Sequence, residues 1–178
     1  MILELYKGSL ANEVKELFTH VFTNSEGKNE GALIGALAFE LQETTAPEDI
    51  FGFVAKHGES VVGCIFFTRM TFESPIDAFI LAPVAIATEY QKQGIGQRLI
   101  AFGINHLQQN NVDLVFTYGD PSFYSKVGFK QITEDVAKAP LKLTYPEGWM
   151  AQSLVGDKIE PIKGKSTCVT ALNKQQYW

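Results

Sequence analysis

Two stretches of this sequence hold residue types whose spacing could do chemistry. In QKQGIGQRLIAFG, residues 91–103, Gly94 and Gly96 follow the strand-like run APVAIA and open an amphipathic helical pattern. The first amides of a helix have no intrahelical acceptor, and the helix dipole adds about half a positive charge there, so such a start suits an anion, commonly a phosphate. Glycine lets the backbone approach that anion with no Cβ in the way. The second stretch is DPSFYSKVGF, residues 120–129, where Tyr124 carries a phenol able to give a proton. Asp120 is placed to cap a short helix, Pro121 fits its first turn and Gly128 ends it. Glu26, Glu30, Glu73, Asp77 and His57 are candidates for a general base, and spacing singles out none of them. No nucleophilic triad and no metal-ligand spacing is visible, so no metal is expected.

The glycines taken alone fit a turn that merely lets a helix pack closely. A dinucleotide fingerprint, G-x-G-x-x-G, fails on three counts. Its third glycine position is Leu99, the turn from Ala87 to Gln93 is long, and Asp113 stands at the start of the next strand rather than its end. A nicotinamide-dependent oxidoreductase is therefore disfavoured. A G-x-x-x-x-G-K-[ST] phosphate loop is also absent.

The elements that must position these residues are legible from periodicity. ILELYKG suits a short first strand; SLANEVKELFTHVF, with Leu10, Val14, Leu17, Phe18 and Val21, predicts a helix with Ser9 as N-cap and His20 near its end. TNSEGKNEG predicts a loop, and ALIGALAFELQET a second helix. IFGFVAKHG and SVVGCIFFTRMTF predict a hairpin around Gly58. DAFILAPVAIA predicts a strand interrupted at Pro83, which cannot donate to a ladder. GIGQRLIAFGINHLQQN is the clearest helix, VDLVFTYG a buried strand, and FKQITED a further short one. A turn of helix around Trp149 and a strand from Lys165 to Leu172 follow. The fold class is α+β (mixed α/β), with a largely antiparallel sheet in one domain spanning residues 1–178.

Composition narrows the partners. With 178 residues, 46% hydrophobic, the chain can bury a full core. A formal net charge of -5 disfavours nucleic acid or an anionic membrane surface as the main partner. No signal-peptide pattern or membrane-spanning run stands out, and Cys64 and Cys168 read as idle thiols, so a cytoplasmic setting is expected.

The flanking pattern separates the readings. Gln91-x-x-Gly94-x-Gly96 after a strand resembles the acetyl-CoA pyrophosphate loop, Q/R-x-x-G-x-G/A, of the GNAT superfamily of N-acetyltransferases. Downstream, FYSKVGF is similar to that family's F/Y-Y-x-K/R-x-G-F helix, and GDPSFYSKVGF resembles a predicted-acetyltransferase branch with the wording GDPxFYxKxGF. The resemblance is firm from about Ile50 to Ile132. It implies a GNAT-like sheet splayed at the strand before the loop, with acetyl-CoA as co-substrate. Main-chain groups of Val84, Ala85 and Ile86 would hold the pantetheine arm, while Gln91, Lys92, Gln93, Gly94, Ile95, Gly96 and Gln97 would hold the diphosphate. Gln91 replaces the commoner arginine, leaving Lys92 or Arg98 to compensate. Tyr124 would return a proton to the leaving thiolate, with a helix N-terminus easing its ionisation. The implied function is acetyl transfer to a primary amine of a small molecule or peptide, with a homodimer as a family-level expectation. A non-catalytic CoA or acyl-CoA binding module is the alternative.

Overall fold

In a computed structural model covering Met1–Trp178, the chain runs β1 (Ile2–Leu5), α1 (Ala11–Glu26), α2 (Lys28–Thr44), β2 (Ile50–His57), β3 (Ser60–Phe72), β4 (Ala78–Ile86) and α3 (Ile95–Gln109). It continues with β5 (Leu114–Tyr118), α4 (Pro121–Tyr124), β6 (Lys130–Gln131), β7 (Trp149–Ser153) and β8 (Ser166–Cys168). The strand order is β1-β2-β3-β4-β5-β7-β6, with β8 beside β3. β4 and β5 are parallel, as their α3 crossover requires, whereas β1–β2, β3–β8, β5–β7 and β6–β7 are antiparallel. This is the mixed α+β, mostly antiparallel architecture that the sequence pattern predicts.

Two compact units divide the residues. The first comprises Met1–Phe67 with Pro83–Gly103. Its core is built on α1, where Val14, Leu17, Phe18 and Val21 are buried at helical spacing, and on α2, where Ile34, Leu37, Ala38 and Leu41 are buried. Phe18 stacks on Phe66 of β3 at a centroid distance of 6.2 Å, and Phe53 meets Phe67 edge-on at 6.0 Å. The two helices cross closely because Gly31 carries no side chain. A Cβ there would lie 2.6 Å from the Thr19 carbonyl oxygen and 2.8 Å from the Thr23 nitrogen.

The second unit comprises Thr68–Ala82 with Ile104–Trp178. Phe116 of β5 stacks on Trp149 at 5.2 Å, and the Trp149 indole donates to the Ala137 carbonyl at 2.9 Å. The last residue, Trp178, is only 5% exposed; its ring stacks on Tyr118 and its indole N–H donates to Leu172 O.

Several local expectations are corrected. TNSEGKNEG is helical rather than a loop: α1 runs to Glu26, α2 starts at Lys28, and Gly27 (φ 100, ψ 171) makes the whole break. Polar residues here continue each helix on its exposed side, and one glycine suffices to turn the chain. His20 therefore sits inside α1, away from any helix-end dipole. Ser9 caps nothing; it lies in a 3-10 turn, and Leu10 precedes α1 without a side-chain cap. The helical turn ends at Gly148, and Trp149 begins β7, where 0% exposure of its large ring favours a strand in the core. The late strand is shorter than expected, ending at Cys168 before a 3-10 turn at Thr170–Leu172.

Candidate active site

The turn between β4 and α3 is built from backbone that has given up its own hydrogen bonds. After a 3-10 turn at Thr88–Tyr90, Lys92 (φ 59) and Gly94 (φ 73) both take positive φ. Gly94 O accepts the first helical bond, from Arg98 N at 3.1 Å. No backbone acceptor takes the amides of Lys92, Gln93, Gly94, Ile95, Gly96 or Gln97. Left-handed residues set between ordinary ones fold successive N–H groups toward one concavity, and the α3 dipole reinforces it. Nothing lies within 4 Å of a Cβ built on Gly94, so glycine is needed there for its φ rather than for space. Gln91, Lys92, Gln93 and Gly94 are exposed, Ile95 and Gly96 are buried, and Gln97 is half-buried.

Side chains hold this turn in place. Gln91 Nε2 donates to Ile86 O at 2.9 Å, and Gln93 Nε2 donates to Glu89 O at 3.1 Å. Gln91 thus staples the turn back onto β4. The uncharged residue at this position serves the turn's shape, and Lys92 and Arg98, both exposed, are the cations nearest in sequence.

β4 behaves as Pro83 suggests. Its register with β5 runs from Ala78↔Leu114 to Leu81↔Thr117 and stops there. Beyond Pro83 the strand remains beside β3, and Ala87 N donates to Val62 O at 2.9 Å. Val84, Ala85 and Ile86 therefore have a strand partner on one side only. Ala85 is 1% exposed, while Val84 and Ile86 are half-buried.

Tyr124 is the last residue of α4, a single turn that Asp120 caps. Asp120 Oδ1 accepts the Ser122 N–H at 2.8 Å and Oδ2 accepts the Ser122 hydroxyl at 2.8 Å. The Tyr124 ring covers Gly119, where a Cβ would lie 2.7 Å from it, and meets Phe123 and Phe129 edge-on at 5.1 and 5.8 Å. Gly128 (φ 96) closes the segment and returns the chain to Phe129, whose N–H donates to Tyr124 O. Burial pushes the Tyr124 phenol above its ordinary value; the Thr117 hydroxyl partly offsets this and the Asp120 charge adds to it. The eased ionisation expected from the sequence is thus corrected: Tyr124 sits at the end of its helix, away from the favourable dipole end. Thr117, fully buried and donating to Leu81 O at 3.0 Å, is a supporting residue that sequence reading passed over. Its signal was present, as the lone hydroxyl in the apolar run LVF before Tyr118.

The Asp120 cap has a pH signature. Its bonds from Ser122 hold the carboxyl below the usual carboxylate value, so its stabilisation is present above the ordinary range and lost as pH falls through the lowered folded value. Asp120→Asn is expected to melt slightly below wild type at neutral pH. The gap in melting temperature, followed by circular dichroism, should close in acid.

The base candidates are dispersed. Asp77 is paired with Arg69 at 2.6 Å, Glu73 Oε1 accepts the Lys165 N–H at 3.2 Å, and His57 bonds Tyr90 at 2.9 Å. Glu26 and Glu30 are exposed at the α1–α2 break. Cys64 and Cys168 are free; burial pushes the first thiol well above its ordinary value and the second up to about 11, which suits unreactive cysteines.

A family model described as an acetyltransferase (GNAT) domain matches residues 48–131, the span that holds both the glycine turn and Tyr124. The chain is 33% identical over 150 residues to YjhQ of Escherichia coli (strain K12), named as an uncharacterized N-acetyltransferase, covering 81% of this chain and 79% of the relative. The chain belongs to the GNAT acetyltransferase family. YhbS of the same organism, likewise named an uncharacterized N-acetyltransferase, is 31% identical over 118 residues, 64% of this chain and 68% of its own length. The crystal structure of Escherichia coli YhbS in complex with CoA shares the fold at a TM-score of 0.80 and 21% identity, covering 98% of this chain and 92% of that one. A GNAT acetyltransferase from Brucella melitensis in complex with acetyl-CoA shares it at 0.74 and 18% identity, covering 96% and 97%. This GNAT protein is accordingly an acyltransferase enzyme.

Proposed function

We propose that this GNAT protein transfers the acetyl group of acetyl-CoA directly to a primary amine of a small molecule or peptide. The observation that carries the reading is the run of six backbone N–H groups, residues 92–97, with no backbone acceptor. Unpartnered amides at the buried or half-buried Ile95, Gly96 and Gln97 are costly, and a diphosphate supplies acceptors of the right charge even on an acidic protein. The free side of Val84–Ile86 gives the pantetheine amides a strand to pair with. The acetyl-CoA complex of the Brucella melitensis relative supports the same co-substrate.

The chemistry then needs a neutral amine, a polarised carbonyl and a proton for the thiolate. The amine nitrogen attacks the thioester carbonyl carbon, and a main-chain N–H at the end of β4 stabilises the oxyanion that forms. The C–S bond breaks as the carbonyl re-forms, the nitrogen loses a proton to solvent, and Tyr124 hands its phenolic proton to the CoA sulfur. With ordinary values of about 10 for tyrosine and about 8.5 for a thiol, that last transfer is uphill by about 2 kcal/mol. A phenol raised by burial makes it steeper. Proton loss from the nitrogen made cationic by attack drives the sum, so Tyr124 accelerates the reaction without deciding it alone.

Acetyl-CoA at about 100 times its Kd should stabilise the protein by about 2.7 kcal/mol and raise the melting temperature by about 5–10 °C. No shift would end the assignment. CoA thiol release measured across a panel of amines then separates enzyme from binder. Thermal stabilisation with no turnover on any amine would favour a CoA-binding module.

A further inference from the structure

A loop of unpaired amides with a left-handed lysine is strained, and something outside the loop has to hold it open for a ligand. Most of its bonds are internal: Gln91 to Ile86 and Gln93 to Glu89 join residues four or five apart. Two side-chain bonds reach it from distant elements. Asn24 Nδ2, in the last turns of α1, donates to Thr88 Oγ1 at 3.2 Å. At the end of β2, His57 Nδ1 shares a 2.9 Å hydrogen bond with the hydroxyl of Tyr90, and the two rings lie 5.5 Å apart. Tyr90 is the last residue before Gln91, so this bond fixes the point from which the turn departs.

On the reading that residues 92–97 bind the CoA diphosphate, we infer that His57 and Tyr90 form a latch that preorganises that turn. They are positioning residues, acting through the backbone of Gln91–Gly94 rather than on the reacting atoms. Their side-chain bond is additional to the turn's own backbone hydrogen bonds, such as Tyr90 N to Ala87 O at 2.8 Å. His57 also lies exposed at the tip of the β2–β3 hairpin, and the ring it meets is that of Tyr90. An organised turn binds an anion more tightly because less order has to be created on binding. The benefit should appear only for ligands that carry the diphosphate.

Calorimetric titration of CoA and of acetyl-pantetheine, which lacks the diphosphate, tests this in the full chain. Tyr90→Phe and His57→Ala should each weaken CoA binding about three- to tenfold, the worth of one partly exposed hydrogen bond that is lost on one side. Acetyl-pantetheine affinity should stay unchanged. The double variant should bind CoA no worse than either single one, because both remove the same bond. His57→Asn, which keeps an acceptor close to Nδ1, should recover most of the affinity. An equal loss on both ligands, or additive losses in the double variant, would show a general structural role and overturn the latch. Wild-type binding of CoA with unaffected variants overturns the latch alone. A wild-type protein that binds no CoA removes the functional reading, and the latch falls with it.

Discussion

Gly94→Val should weaken CoA binding by about 30- to 100-fold while leaving the melting temperature nearly unchanged. Gly94 stands at φ 73, a region that costs a β-branched residue most, and it stands in open space, so the loss comes from backbone conformation and not from a clash. The turn would relax toward negative φ and scatter the amides of residues 92–97. A graded series checks this cause. Asn tolerates the left-handed region and should lose least, Ala should be intermediate, and Val should lose most. Isothermal titration of CoA against the three variants gives the order. Losses that followed side-chain volume on an unchanged turn would instead indicate that the ligand itself meets the new atoms.

The second large effect is expected at Tyr124. Tyr124→Phe should lower kcat about 10- to 100-fold, at or below the low end of general acid catalysis because the proton transfer it performs is uphill. Its KM for acetyl-CoA should hold, since the ring keeps its edge contacts with Phe123 and Phe129 and its cover of Gly119. The pH profile carries more information than the rate. Burial raises the phenol above its ordinary value, so the acid form persists through the neutral and mildly alkaline range. Wild-type kcat should therefore rise as the amine deprotonates and fall only above the ordinary tyrosine range. In the phenylalanine variant that alkaline fall should vanish. Full turnover in Tyr124→Phe would remove the proposed acid.

In the turn after β4, Gln91 and Gln93 point their side-chain amides at carbonyls of their own chain, which leaves the proposed binding to the backbone. Replacing Gln91 disturbs the turn before it disturbs any ligand contact. The phenol, the proposed proton donor, sits on a one-turn helix whose geometry is set by Asp120 and Gly128.

Local features were legible in the sequence. The 3.6-residue spacing of Val14, Leu17, Phe18 and Val21 marked a core-facing helix, and Pro83 marked the place where β4 changes its pairing. The order of Gln91-x-x-Gly94-x-Gly96 and FYSKVGF identified the family, because those residues act through local backbone geometry that the same short words encode. The break between α1 and α2 was less legible. Polar residues in TNSEGKNEG read as a loop, yet helices continue through polar residues when one face is exposed, and close packing of Gly31 on α1 favours that outcome.

What tertiary structure alone decided concerns partners far apart in sequence. Tyr6 bonds Gln42, Thr117 supports Tyr124 from the end of β5, and His57 meets Tyr90 across 33 positions. The state of the Tyr124 proton belongs to this group, since burial is a property of everything packed around a residue and not of its neighbours in the chain. Sequence by itself determined the α+β class and the glycine turn, through periodicity and φ requirements that act over a few residues, and the family resemblance of FYSKVGF pointed to Tyr124. The packed fold decided that β4 loses β5 beyond Leu81, that Gln91 turns back to its own strand, and that burial raises the Tyr124 phenol above its ordinary value. Those outcomes rest on long-range contacts, whose energies no short stretch of sequence contains.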